Sequence, residues 1–202
     1  VHLSRESGFN PTTKQFTIAG IGDMSGNVFG NGLLQSPHTK LVAAFNHSHI
    51  FIDPTPHAAI SFAERQRLFA LPKSNWSDYN RKLISEGGGV FARSPKKISL
   101  SIEMKTVLAT EVDTMTADEL ISAILQMPVD VLWNGGIGTY VKSSDENHHD
   151  VGDRTNDSVR VNGNQLRARI VCEGGNLGLT QRARNEYQLN GVLCHTPFIA
   201  HS

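Results

Sequence analysis

The chain has 202 residues, with 19 basic and 19 acidic side chains and 39% hydrophobic residues. That length suits one large domain with a real core. Balanced charge removes the electrostatic case for nucleic acid or a membrane surface, and no apolar run approaches the ~20 residues of a membrane span. The first residues, Val-His-Leu-Ser-Arg-Glu, show no signal-peptide pattern and no initiating Met, so the segment reads as part of a longer, cytoplasmic protein. Cys172 and Cys194 fall in apolar segments and read as core thiols.

Residues 16–19 predict a short strand, Gly20 and Gly22 a tight turn, and the residues beyond a glycine-spotted helix. This is how a dinucleotide-binding unit opens. Gly20 lets the chain turn, Gly22 lets a pyrophosphate approach the backbone, and the helix points its N–H groups at the phosphates. Ser25 stands at the third glycine of G-x-G-x-x-G, small enough for close helix–strand packing. Gly30 and Gly32 each cost about 1 kcal/mol in a helix interior relative to Ala; close backbone packing is a reason to keep them. Residues 40–45 predict the next strand, ending at Asn46 and His47. Asn46 lies 26 positions after Gly20, near where such folds set an acid on the adenosine ribose. Asn lacks the charge that repels a 2′-phosphate, so this position leaves the choice between NAD and NADP open. Protonated, His47 and His49 would assist a phosphate; the alternative is a pair of surface histidines at a strand-to-turn junction.

Residues 49–54 are extended and closed by Pro54. Helices are predicted near 60–70 and 77–85, the second capped by Ser77. Gly87, Gly88 and Gly89 precede an extended piece at 90–91, and a helix follows at 101–110. Thr116 and Glu119 form a capping box for a helix with an apolar face of Leu120, Ile121, Ile124 and Leu125. Residues 129–133 predict a buried strand ending in Asn134, Gly135 and Gly136. Residues 142–165 are polar and read as a surface excursion. A strand at 169–172 runs into Glu173, Gly174, Gly175 and Asn176, then come a helix at 180–189 and a last strand at 192–194. No internal repeat is present.

This alternation predicts an α/β fold, a Rossmann-like open and mainly parallel sheet with helices on both faces. Three strand ends carry glycine or asparagine turns, at 20–22, 134–136 and 174–176. Ligands of such sheets sit at the carboxyl ends of strands, so the turns together indicate a nucleotide site. His148, His149, Asp150, Asp153 and Asp157 lack a convincing ligand spacing and read as a solvated loop. Glu173 reads as a buried or capping carboxylate rather than a general base, and Trp76 and Trp133 as packing residues.

Four strings, at 20–32, 61–69, 134–140 and 172–184, resemble the large, NAD-specific bacterial glutamate dehydrogenases, in order and over nearly the whole chain. The resemblance implies a dinucleotide-binding domain over 1–202, part of a larger multidomain enzyme. It implies oxidative deamination of L-glutamate to 2-oxoglutarate and ammonia with NAD⁺, and a homo-oligomeric complete protein. Gly20, Gly22, Asp23, Met24 and Ser25 match the phosphate turn. Asn46, with His47 beside it, stands where these enzymes often carry the ribose-binding acid, a departure from their pattern. Asn134, Gly135 and Gly136 match the strand end beside the cofactor, and Asn176 the asparagine near the nicotinamide. The catalytic lysine and acid/base aspartate are expected in a preceding substrate domain. No glycine-rich lysine motif occurs here, and no catalytic residue or metal ligand is assigned. A methyltransferase using S-adenosylmethionine, a non-catalytic nucleotide-binding module and another amino-acid dehydrogenase remain alternatives.

Overall fold

The computed structural model describes residues 10–94, 96–175 and 177–189, and the backbone of 193–195. Eleven strands are seen among them: β1 (Phe16–Ile21), β2 (Thr39–Phe45), β3 (His49–Ile52), β4 (Gly89–Ala92), β5 (Ile98–Ser99), β6 (Thr114–Met115), β7 (Val131–Asn134), β8 (Val141–Lys142), β9 (Val161–Asn162), β10 (Ile170–Glu173) and β11 (Leu193–His195). The helices are α1 (Phe29–Leu33), α2 (Ala58–Ala70), α3 (Ile102–Leu108), α4 (Ala117–Leu125), α5 (His148–Val151) and α6 (Gln181–Leu189).

Seven strands form one sheet in the order β11-β10-β7-β1-β2-β3-β4. From β11 to β2 every pairing is parallel; β3 and β4 continue the sheet as an antiparallel edge. The sheet is therefore mainly parallel, as its sequence predicts, and the two short extended pieces flanking α2 are that edge. From β1 the chain first builds outward through β2, β3 and β4. It then returns to the other side of β1 to lay down β7, β10 and β11. The order reverses at β1, which makes the carboxyl ends of β1 and β7 the topological switch point.

Each central strand feeds two cores. Phe16, Ile18, Leu41, Val131 and Ile170 face a cluster with Phe29, Leu33, Leu68 and Trp76 from α1, α2 and the loop beyond. Ala19, Ile21, Val42, Leu132 and Val171 face the opposite cluster, with Met104, Leu108, Leu120, Ile121, Ile124 and Tyr187. Helices thus cover both faces. α4 begins at the predicted capping box, with Thr116 and Glu119 bonding reciprocally, and buries the four predicted apolar residues.

Two expectations change. Residues 77–85 hold two single-turn 3₁₀ segments, Trp76–Asp78 and Arg81–Leu83. The cap of the first is Asn75, closed by Asp78, not Ser77. The polar stretch 142–165 is more than a surface excursion: β8 pairs with β9, and Val159 and Val161 enter the core. Arg160 makes this possible. Its buried guanidinium donates to the carbonyls of Thr139 (2.8 Å) and Asp153 and to Asp157 Oδ1 (2.5 Å), so Asp153 and Asp157 serve an arginine.

Arg65 on α2 is fully buried. It donates to three backbone carbonyls, Leu33 at 2.8 Å, Thr39 at 3.0 Å and Ser61 at 3.2 Å. Among the described residues it has no carboxylate partner. Burial pushes the guanidinium down to about 10, yet without it the carbonyl ending α1 and the one opening β2 would be orphaned. Arg65→Ala should cost about 3 kcal/mol or more, from lost charged hydrogen bonds and a cavity. Urea unfolding tests this, and a change under about 1 kcal/mol would remove Arg65 from the framework.

Asp53 is also fully buried. Its Oδ1 accepts from Ser85 N (3.1 Å) and Oγ (2.5 Å), while Oδ2 has no partner. Burial raises its pKa. An acid whose folded value is raised destabilises the fold once pH exceeds its unfolded value. Asp53→Asn should therefore raise Tm at pH 7, and the gain should vanish below the ordinary value of 3.8. A gain equal at both pH values would show that ionisation is not its source.

Candidate functional site at the strand ends

The four central strands end level. Phe45 pairs with Ile21, Ile21 with Asn134, and Asn134 with Glu173. One residue further, three glycines close the row by donating across it. Gly22 N–H reaches Phe45 O at 2.9 Å, Gly135 N–H reaches Ile21 O at 2.9 Å, and Gly174 N–H reaches Asn134 O at 2.8 Å. The three predicted glycine turns are therefore one feature, gathered at the switch point.

Side chains from the start of α1 lie over this row. A β-carbon on Gly22 would fall 2.7 Å from Phe29 Cβ, one on Gly135 2.8 Å from it, and one on Gly20 2.5 Å from Phe29 Cε2. A β-carbon on Gly174 would run into Val28. The room above Gly22 is thus filled by Phe29, where its sequence reading expects a pyrophosphate. Gly30 and Gly32 permit close packing as anticipated: a β-carbon on the first would run into the Met24 carbonyl and the Phe69 ring, and one on the second would fall 2.8 Å from the Trp133 ring.

The helix itself departs from expectation. Turns and one bend occupy 24–28, and α1 has five residues, no acidic side chain in its first turn and no side-chain cap. Gly26 N–H bonds to Asp23 O (3.0 Å), and Ser25 Oγ donates to Ser74 O (3.0 Å). These bonds commit the segment to turns before a helix can start. Met24 is buried in the core, so its part is packing.

At the end of β2, Asn46 occupies the expected place and is 7% exposed. Its Oδ1 accepts from Ser48 N (2.8 Å) and His49 N (2.7 Å), while its Nδ2 donates to Asp23 Oδ1 and to Asn75 Oδ1 (2.9 Å). Asn75 Oδ1 also meets Trp76 N at 2.7 Å and His49 Nδ1 at 3.0 Å. Trp76 stacks on Phe51 at 5.0 Å between centroids and donates from Nε1 to Gly22 O at 2.9 Å. His47 is exposed on the adjoining turn. Asn75 is the residue that sequence reasoning missed. The pattern Asn-x-x-Asp over 75–78 is a capping box and could have found it.

At β7, Asn134 is 2% exposed, and its Oδ1 is buried without a partner. Trp133 Nε1 is likewise buried and unpartnered. Glu173 is a structural carboxylate, as expected: it accepts from Arg184 Nε (2.8 Å) and Nη2 (3.0 Å) and from Leu179 N (2.9 Å). Gly136 packs on Ile21. The turns after β7 and β10 present Ile137, 96% exposed, and Leu177, 65% exposed; Thr139 Oγ1 ties them by donating to Leu177 O at 2.7 Å. Asn176 lies outside the described residues. Among the described residues no His/Cys/Asp/Glu group is arranged to hold a metal ion, and no helix is long and apolar enough to cross a membrane.

The architecture is that of a Rossmann-like α/β protein with glycine-ended strands at its switch point. The family model described as bacterial NAD-glutamate dehydrogenase, catalytic domain, matches residues 2–202, and the chain belongs to that family. It is 59% identical over 195 residues to the NAD-specific glutamate dehydrogenase of Pseudomonas aeruginosa, covering 96% of this chain and 12% of that protein. Identity to the NAD-specific glutamate dehydrogenase of Mycobacterium tuberculosis is 55% over 204 residues, 98% of this chain and 13% of that one. The segment thus spans a small part of these relatives. Among solved structures, the glutamate dehydrogenase of Plasmodium falciparum superposes with a TM-score of 0.54 at 13% identity, over 95% of this chain and 32% of that one. The hetero-hexameric glutamate dehydrogenase of Thermus thermophilus gives 0.50 at 13% identity, over 98% and 33%. At that identity the likeness is one of fold.

Two glycines test the packing of the row. Gly22 has φ +145° and Phe29 against it, whereas Gly152 has φ +76° and open space around it. Gly152→Ala should cost about 1–2 kcal/mol, the left-handed penalty alone. Gly22→Ala should cost clearly more in thermal unfolding. Equal costs would mean that Phe29 yields freely.

Proposed function

We propose that this segment is the dinucleotide-binding part of an NAD-dependent glutamate dehydrogenase, and that the complete protein deaminates L-glutamate oxidatively to 2-oxoglutarate and ammonia. One observation carries the reading. Three glycine-ended parallel strands meet at the switch point, and beside them Asn134 Oδ1 and Trp133 Nε1 are buried without partners. Buried polar atoms are nearly always satisfied; one acceptor and one donor at a strand end fit a ligand with amide and hydroxyl groups. The names of the relatives and the family support a nicotinamide cofactor.

Bound NAD⁺ supplies the hydride acceptor. The work of this chain is binding and orientation. Gly20, Gly22, Asp23 and Ser25 form the turn on the adenosine side, with Met24 anchoring it from the core, and Asn46 and His47 complete that side at the end of β2. Asn134, Gly135 and Gly136, with Asn176, form the nicotinamide side. No proton transfer is assigned to these residues; that chemistry belongs to a substrate domain, which brings glutamate and 2-oxoglutarate to the cleft. A cytoplasmic setting and assembly from identical copies complete the proposal.

Fluorescence titration of the complete protein should show NADH binding. Asn134→Ala should weaken it at least ten-fold, and the 202-residue segment alone should make no NADH from glutamate. Unchanged affinity would remove Asn134 from the site, and a wild type that binds no NADH would overturn the reading.

A further inference from the structure

We infer that the charge selecting a ribose with a free 2′-hydroxyl over one with a 2′-phosphate is carried by Asp23, and that Asn46 is its positioning residue. This rests on the dinucleotide site proposed above. A side-chain amide has two N–H donors and a carbonyl oxygen with two lone pairs. All four capacities of Asn46 are engaged, by Asp23, Asn75, Ser48 and His49. Asn46 itself therefore has nothing left for a ribose hydroxyl, although it stands at the strand end where that contact is made in such folds.

Asp23 supplies what Asn46 lacks. It is partly exposed and lies on the turn that Gly22 pins to the end of β2 through Phe45 O. Its Oδ1 is held by Asn46. Among the described residues its Oδ2 has no hydrogen-bond partner, and no Lys, Arg or His forms an ion pair with it. A carboxylate so placed has acceptor capacity for a ribose hydroxyl and repels the negative charge of a 2′-phosphate. The departure of position 46 from an acid follows. An aspartate there would set two carboxylates against each other and would lose both donated hydrogen bonds. The charge has moved from the strand end to the glycine turn, and an amide at the strand end holds it there.

The test is the ratio of dissociation constants for NADPH and NADH, read by fluorescence titration of the complete protein, with thermal unfolding as a check on each variant. The wild type should prefer NADH. Asp23→Asn should narrow the ratio ten-fold or more, and Asp23→Glu, which keeps the charge, should retain the preference. Asn46→Ala should narrow the ratio in the wild type but add nothing in the Asp23→Asn background, since it acts through Asp23. A ratio unchanged by Asp23→Asn, with NADH still bound, would overturn this inference and leave the site standing. A wild type with no preference would also overturn it, and a wild type that binds neither cofactor would remove the site as well.

Discussion

The architecture turns on how closely one aromatic side chain approaches the ends of the parallel strands. Phe29 lies where β-carbons of Gly20, Gly22 and Gly135 would stand. Those three positions belong to two strand ends far apart in sequence, yet they are adjacent because β1 pairs with β7. Any β-carbon among them would lift α1 away from the sheet and break one of the two cores. The glycine row is therefore a packing requirement first. The proposed cofactor contacts flank it: Asp23 on one side, the buried polar atoms of Asn134 and Trp133 on the other.

A short helix needs outside support, because a five-residue segment with two glycines has little stability of its own. That support comes from the region 58–78. Arg65 holds the carbonyl that ends α1 and the one that opens β2. Trp76 holds the Gly22 carbonyl, and Ser74 holds Ser25. The glycine turn is thus fixed by a second layer of side chains and backbone, its geometry independent of helix propensity. For the proposed cofactor, a turn held from behind in this way is preorganised, which reduces the ordering cost at the moment of binding.

The sheet was legible because hydrophobic runs, glycine punctuation and the 116–119 capping box each point to a local structure without needing distant partners. The alternation of strand and helix gave its parallel core for the same reason. The failures share a cause of their own. Residues 77–85 look helical by composition, but Asn75, Asp78 and Asn80 offer the backbone local hydrogen bonds that compete with a helix. The stretch 142–165 looks solvated because its core residues are few and its organiser, Arg160, is a charged side chain whose burial depends on partners at 139, 153 and 157. Buried arginines and their carbonyl partners are tertiary facts and leave no periodic trace. At the site, the strand ends were found from their glycines, while the saturation of Asn46 was invisible, since filling the amide takes Asp23 and Asn75, from two other segments, besides its own turn.

That saturation alters how the strand-end position is to be understood. A residue type at a motif position is informative about function only when its hydrogen-bonding capacity is free. Asn46 occupies the place that a ribose-binding acid would hold, and its chemistry is spent on the protein. The nearest group with unspent capacity and full charge is Asp23, one hydrogen bond away. In the proposed site, motif and function are then related through a pair of side chains: the strand fixes where the amide stands, the amide fixes where the carboxylate points, and the discrimination is assigned to the carboxylate. Sequence comparison at position 46 alone would assign weak selectivity to a site whose proposed selecting charge lies 23 positions earlier in the chain.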